Sequence, residues 1–207
     1  MSQAKTSDYL FTLTGGELCL DFANTLDDRP TDQPIELLNT YSDFLLWGQQ
    51  AALIDLQGAQ ELMNKAQQAP EATAVVLEKA ITLRELIYRI FSAIAAGVPP
   101  VERDLDRLNN AVSCAFDRLK IVRTTAGFEW GWDVASGELD QLVWPITRSA
   151  ADLLTSNELT KLRECAGFDC GWLFMDRSRA HRRRWCDMKI CGNREKARRH
   201  YQRKKST

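Results

Sequence analysis

Four cysteines near the C-terminus have the residue type and spacing of a metal site. They form two pairs, each with four residues between its members, on either side of a fifteen-residue insert: Cys165 and Cys170, then Cys186 and Cys191. Two short thiolate pairs supply the four tetrahedral donors that a zinc ion prefers, without long loop closure. The pattern therefore predicts one structural zinc ion, with no coordination position left for a catalytic water. Spacing alone leaves open a site of three cysteines and one histidine that uses His181.

The region that carries these cysteines is strongly basic. Residues 161–207 hold 15 Lys and Arg against 5 Asp and Glu, a net charge of +10, whereas residues 1–160 hold 12 against 23, a net charge of −11. A tail of this charge favours contact with phosphates, which the acidic body repels. We predict that the nucleic-acid contacts come from eight basic residues: Arg182, Arg183, Arg184, Arg194, Lys196, Arg198, Arg199 and Arg203.

DNA is the predicted partner of this basic surface, and RNA is the alternative. Zinc modules also recognise RNA by shape and by stacking of exposed bases, for which Trp185 and Tyr201 are available. Two further interpretations remain open. The last helix could be a solvated charged face that docks on the acidic body, or the body could be the binding surface of a protein-interaction adaptor.

The elements that must position the cysteines begin with a knuckle, since Gly167 and Gly171 allow the chain to turn around the first pair. We expect a hairpin between residues 172–176 and 181–185 to bring Cys186 beside that pair. A basic helix then starts at Cys191, with Asn193 as its N-cap. This order of knuckle, hairpin and helix predicts a treble-clef-like zinc finger with four cysteine ligands over residues 157–207.

The preceding residues, 1–156, are predicted to form a mainly α-helical domain with one small β-hairpin. Ser42 is the expected N-cap of the second helix, and Pro70 is expected to end the third. A change from helical to alternating periodicity around Thr124–Gly127 predicts the hairpin. By apolar spacing, the helices cover approximately 17–26, 42–50, 57–68, 71–96, 101–117 and 139–155, and the hairpin covers 119–134.

Composition and motifs narrow the function classes. The chain has no apolar run that resembles a signal peptide or a membrane span, so we expect a cytoplasmic protein without membrane contact. Residues 1–160 contain no histidine, and the chain lacks the common nucleophile and phosphate-loop motifs, so we do not expect an enzyme. Cys19 and Cys114 stand alone among apolar neighbours and are predicted to be small buried hydrophobes.

A polar cluster follows the first apolar helix face and is the candidate site of a small-molecule effector. It comprises Asp21, Asn24, Thr25 and Arg29, which could line a pocket with Trp47 or Arg148. The alternative is structural: Asn24 and Thr25 cap the helix, and Asp21 pairs with Arg29. The body is also a candidate for homodimerisation.

Several literal motifs resemble a known family. CGWLFMDRSR at residues 170–179, RRRWCDMKICGNR at 182–194 and KARRH at 196–200 look like the zinc-finger signature of the bacterial CGNR proteins. GGELCLDFANTLDDR at 15–29 and YSDFLLWGQQAALI at 41–54 resemble the ABATE domain that precedes such fingers. The resemblance covers nearly the whole chain and implies a bacterial stress-induced transcription regulator.

Overall fold

Seven α-helices and six short strands make up the part of the chain that this computed structural model describes, residues 11–134 and 138–205. The helices are α1 Leu18–Ala23, α2 Tyr41–Gln50, α3 Leu56–Gln68, α4 Pro70–Ala95, α5 Glu102–Phe116, α6 Val143–Leu154 and α7 Asn193–Lys205. The strands are β1 Leu26–Asp27, β2 Ile35–Glu36, β3 Leu119–Thr124, β4 Gly127–Trp132, β5 Leu162–Glu164 and β6 Leu173–Met175. Consecutive strands pair as three antiparallel two-stranded sheets. The predicted mainly helical fold with a small hairpin is confirmed.

The helices start at residues that differ from the predicted ones, and caps and prolines account for the differences. Helix α2 starts after Thr40, not Ser42, because Thr40 and Asp43 form a reciprocal capping box. Pro70 does not end the third helix; it is the first residue of α4, where a missing N–H costs nothing. Helix α6 starts at Val143 rather than near 139, and Pro145 lies in its first turn, where proline is tolerated.

The core of the body lies between α1, α2, α4 and α6. On α4, the residues at helical spacing that face this core are Leu83, Ile87 and Ile90. Cys19 on α1 is fully buried there, as predicted. The same prediction is wrong for Cys114, which is exposed because the neighbouring Ala115 occupies the buried face of α5.

A buried ion network joins α4 to the segment that follows α1. The guanidinium of Arg84, with 2% of its side chain exposed, pairs with Glu36 and Glu85, and Arg29 also pairs with Glu85 at 2.8 Å. Burial alone would raise the pKa of Glu85, but the hydrogen bonds and charges of the two arginines outweigh it and hold the pKa below its ordinary value. The Arg29 guanidinium also lies 3.8 Å from the centroid of the Tyr88 ring.

Strand β6 belongs to two cores at once. Leu173 and Met175 face the core of the body, whereas Trp172 and Phe174 pack with the four cysteines in a second cluster. Alternation of side chains along a strand accounts for this division. The division of the chain into residues 1–156 and 157–207 stays a prediction, and the hairpin that follows residue 156 packs into the body.

The hairpin predicted between residues 172–176 and 181–185 is wrong. Strand β6 pairs instead with β5, in the register Leu162 to Met175. The chain after β6 wraps around the buried carboxylate of Asp176, which accepts hydrogen bonds from Ser178 and from the backbone N–H of Arg183. His181 adopts a φ of 48°, which is incompatible with a strand. None of the helices in the described ranges is long and apolar enough to cross a membrane.

Candidate metal centre and nucleic-acid interface

The four predicted ligands converge in a buried cluster. The Sγ atoms of Cys165, Cys170, Cys186 and Cys191 all lie within 4.8 Å of one another. The Sγ atom of Cys186 is 3.6 Å from those of Cys170 and Cys191. Tetrahedral zinc with bonds of about 2.3 Å to sulfur separates its ligands by about 3.8 Å. The four cysteines are therefore positioned to bind one zinc ion. His181 is not in this group, since its Nδ1 lies 2.9 Å from the carbonyl oxygen of Asp176.

The protonation states of the four thiols depend on one another. Hydrogen bonds from Cys170 and Cys186 lower the pKa of Cys165, whereas the hydrogen bond to Cys165 is the largest cause that raises the pKa of both partners. Burial raises the pKa of Cys191. Four anionic sulfurs at this spacing repel one another, so full deprotonation requires a cation among them.

The first cysteine pair is held in the loop between β5 and β6. A Cβ atom at Gly167 would lie 3.1 Å from the Cβ of Cys170, so the loop closes tightly around the site. Gly171 has a φ of +69°, and a Cβ there would lie 3.3 Å from Arg29 and Pro30 of the body. Both glycines thus serve the predicted knuckle, the first through close packing and the second through backbone conformation.

The second pair stands at the start of the last helix. Cys191 lies in a π-helical turn, Met188–Gly192, that runs directly into α7. Asp187 caps this turn, because its carboxylate accepts hydrogen bonds from the backbone N–H groups of Lys189 and Ile190. The predicted N-cap role of Asn193 is therefore wrong, and its side chain donates back to the carbonyl oxygen of Lys189.

The metal centre is joined to the body through Asn24, the C-cap of α1. Its side-chain oxygen accepts a hydrogen bond of 2.9 Å from the Leu173 N–H, and its side-chain nitrogen donates one of 2.9 Å to the Leu173 carbonyl. The amide thus pairs with β6 as a neighbouring strand would. The Met175 N–H adds a hydrogen bond to the Gly15 carbonyl, so the finger is bonded to the residues on both sides of α1.

The other residues of the predicted effector pocket are engaged within the body. The Thr25 hydroxyl donates to the Phe22 carbonyl, and Asp21 accepts from the Gly15 N–H. Arg29 pairs with Glu85, so the predicted Asp21–Arg29 pair is wrong. An effector pocket at Asp21, Asn24, Thr25 and Arg29 stays a prediction.

The buried carboxyl group of Asp21 should make the stability of the protein depend on pH. Burial raises its pKa from 3.8 to about 6. A folded-state pKa above the unfolded one stabilises the protein at low pH, and this contribution is lost as pH rises through 6. We expect Asp21→Asn, which stays neutral, to lack it. In urea unfolding, the stability of the wild type relative to the variant should increase from pH 7 to pH 5; a difference that does not change with pH would contradict the assignment.

The eight predicted nucleic-acid residues differ in their surroundings. Arg183 is used inside the finger, where Nε donates to the Trp185 carbonyl, another guanidinium nitrogen donates to the Cys186 carbonyl, and the group lies over the Phe174 ring. Arg194 pairs with Asp169 at 2.5 Å. Five of the other six lie exposed in the turn before the second cysteine pair or along α7: Arg182, Lys196, Arg198, Arg199 and Arg203.

Two features of this surface were not predicted from the sequence. Arg184, also exposed, lies over the Trp185 ring, which itself packs against the cysteine cluster. Glu195 is buried at the base of α7, where hydrogen bonds from Arg198 and Arg199 lower its pKa to about 2. The i,i+3 and i,i+4 spacing of these residues was the available signal for this pairing.

Comparison with protein families agrees with this geometry. The ABATE model, described as a putative stress-induced transcription regulator, matches residues 16–157. The CGNR zinc finger model matches residues 161–204. Both resemblances predicted from the sequence are confirmed, and neither description is that of an enzyme. No curated protein matches the chain.

Proposed function

Because the chain belongs to the ABATE family and ends in a CGNR zinc finger, we propose that it is a zinc-dependent transcription regulator that binds DNA through the finger. The observation that carries the proposal is helix α7. Residues 196–205 are all exposed, and the helix holds seven Lys and Arg against one Glu. Such a helix, about 20 Å long, offers cations along its length to a polyanion.

The charges near the metal favour phosphate contact at particular residues. A zinc ion with four thiolates has a formal charge of −2, which Arg194 and the basic loop before Cys186 offset. Glu195 offsets only one of the two charges of Arg198 and Arg199. We therefore assign phosphate contacts to the exposed members of the predicted set, and a structural role to Arg183.

The body has a separate part in this proposal. Residues 1–156 would act as the regulatory or dimerising domain, and residues 157–207 as the DNA-binding domain. The hydrogen bonds of Asn24 to β6 support a coupling by which a change in the body would alter the orientation of the finger. An effector or a second copy bound to the body would then change how the finger meets DNA.

The test is the salt dependence of DNA binding by the full-length, zinc-loaded protein. Lys196 and Arg203 are seven residues apart on α7 and therefore share a face. We expect the double variant Lys196→Ala, Arg203→Ala to reduce the slope of log affinity against log salt by about 2, since each phosphate contact contributes about 0.9. Fluorescence anisotropy with one duplex at several salt concentrations measures this slope.

A matched control is the double variant Lys79→Ala, Arg107→Ala, which removes two exposed cations from the body. It should leave the slope unchanged. Absence of duplex binding in dilute buffer, or an unchanged slope in the α7 variant, would overturn the proposal. Tighter binding of structured RNA than of duplex DNA at matched salt would replace DNA by RNA as the partner.

A further inference from the structure

Two aromatic rings of the finger are presented to solvent beside the basic helix. Phe168, in the knuckle between Cys165 and Cys170, is 56% exposed, and Tyr201 on α7 is 69% exposed. The other described Phe and Trp residues of the finger are buried or half-buried against the cysteine cluster: Trp172, Phe174 and Trp185. Exposed aromatic rings beside a cationic surface are the combination on which single-stranded nucleic acids stack.

Arg198 contacts the Phe168 ring and precedes Tyr201 by three residues on α7. Its guanidinium carbon is 5.2 Å from the centroid of the Phe168 ring. Tyr201 is three residues further along α7, so it shares the same side of the helix about 4.5 Å along the axis. Glu195 fixes the guanidinium by hydrogen bonds of 2.8 and 3.0 Å. Phe168, Arg198 and Tyr201 thus form one strip, here called the aromatic strip.

The knuckle that carries Phe168 is constrained. Both of its ends are zinc-ligand positions, and Gly167 is packed against Cys170 inside it. The Arg194 guanidinium holds the adjacent Asp169 at 2.5 Å, which ties the loop to the first turn of α7. These contacts hold the backbone of the loop that carries Phe168, whose ring is exposed beside α7.

We propose that the aromatic strip stacks unpaired bases of DNA. The inference rests on the proposed function and adds to it a preference for DNA with a locally single-stranded stretch. Aromatic rings stack on any base, and a guanidinium beside them binds a base face or a neighbouring phosphate. In a continuous duplex the bases are stacked on one another, so the strip gains this interaction only where bases are free.

The test compares one duplex with the same duplex carrying a three-nucleotide unpaired loop, using the full-length, zinc-loaded protein. We expect the wild type to bind the looped DNA more tightly. Phe168→Ala or Tyr201→Ala should each weaken binding of the looped DNA by about 5- to 150-fold and leave binding of the continuous duplex and its salt slope unchanged. Phe168→Trp should retain the preference for looped DNA, because the ring is kept.

The matched control is Phe128→Ala, which removes a 74% exposed aromatic side chain from the β3–β4 hairpin of the body. It should change neither affinity. Equal wild-type affinity for both DNAs, or a preference that survives Phe168→Ala with Tyr201→Ala, overturns the aromatic strip while phosphate contact stands. Loss of binding to every DNA overturns both. Zinc content and circular dichroism of each variant show that the finger is folded.

Discussion

Cys191→Ser is expected to abolish stoichiometric zinc binding and to unfold the finger. Zinc binding by small cysteine-rich modules is worth on the order of 10 kcal/mol in apparent free energy, more than burial of Trp172 and Phe174 supplies. Because β6 also packs into the body, we expect the loss to lower the stability of the helical core. The measurements are zinc content after dialysis and the urea unfolding midpoint followed by circular dichroism.

Cys114→Ser is the matched control, since this cysteine is exposed on α5 outside the cluster. It should retain one zinc per chain and unfold as the wild type does. Addition of a chelator to the wild type should reproduce the effect of Cys191→Ser and change the finger before the helical core. Unchanged zinc content and unfolding of Cys191→Ser would show that this cysteine is not a ligand.

Asn24→Ala is expected to destabilise the folded protein by about 2–6 kcal/mol. The substitution leaves the N–H and the carbonyl of Leu173 without their partner in a buried place, and each orphaned group costs about 1–3 kcal/mol. Asn24→Asp keeps an acceptor for the N–H but places a second oxygen against the Leu173 carbonyl. It should also be destabilising. The free energy of unfolding in urea measures both effects.

Asn39→Ala provides the comparison. The Asn39 side chain makes one hydrogen bond to the Glu36 carbonyl at an exposed position, so its loss should cost less than about 1 kcal/mol. If Asn24→Ala lost no more stability than Asn39→Ala, the role assigned to the contact between Asn24 and β6 would be wrong. A variant that stays folded should also show faster proteolysis of the finger, because the docking bonds are lost.

The sequence predicted the features that depend on local spacing. The cysteine pairs, the long apolar face of α4 and the change of period at β3 and β4 are all contained within short windows. Pairing of β5 with β6 was missed, because the alternation of Leu173 with Phe174 does not say which strand lies beside it. The loop around Asp176 was also missed, since its carboxylate collects donors from residues on both sides of a turn.

The candidate site shows the same division between local and distant contacts. Charge counts identified the basic surface, but they did not show that Arg183 binds backbone carbonyls or that Glu195 offsets Arg198. Asn24 was predicted either to line a pocket or to cap a helix. It caps α1, and its side chain also reaches Leu173, 149 residues further along the chain, which no pattern near Asn24 indicates.

Because the two faces of β6 pack in different cores, the finger cannot be moved to another protein as an independent module. A fragment that begins at residue 157 would expose Leu173 and Met175 to water and would lose the partner of the Leu173 backbone. A graft onto another protein would therefore need the end of α1 as well. Insertion of a single residue within β6 would exchange its two faces, moving apolar side chains from one core to the other. Natural variation in length is expected outside this strand.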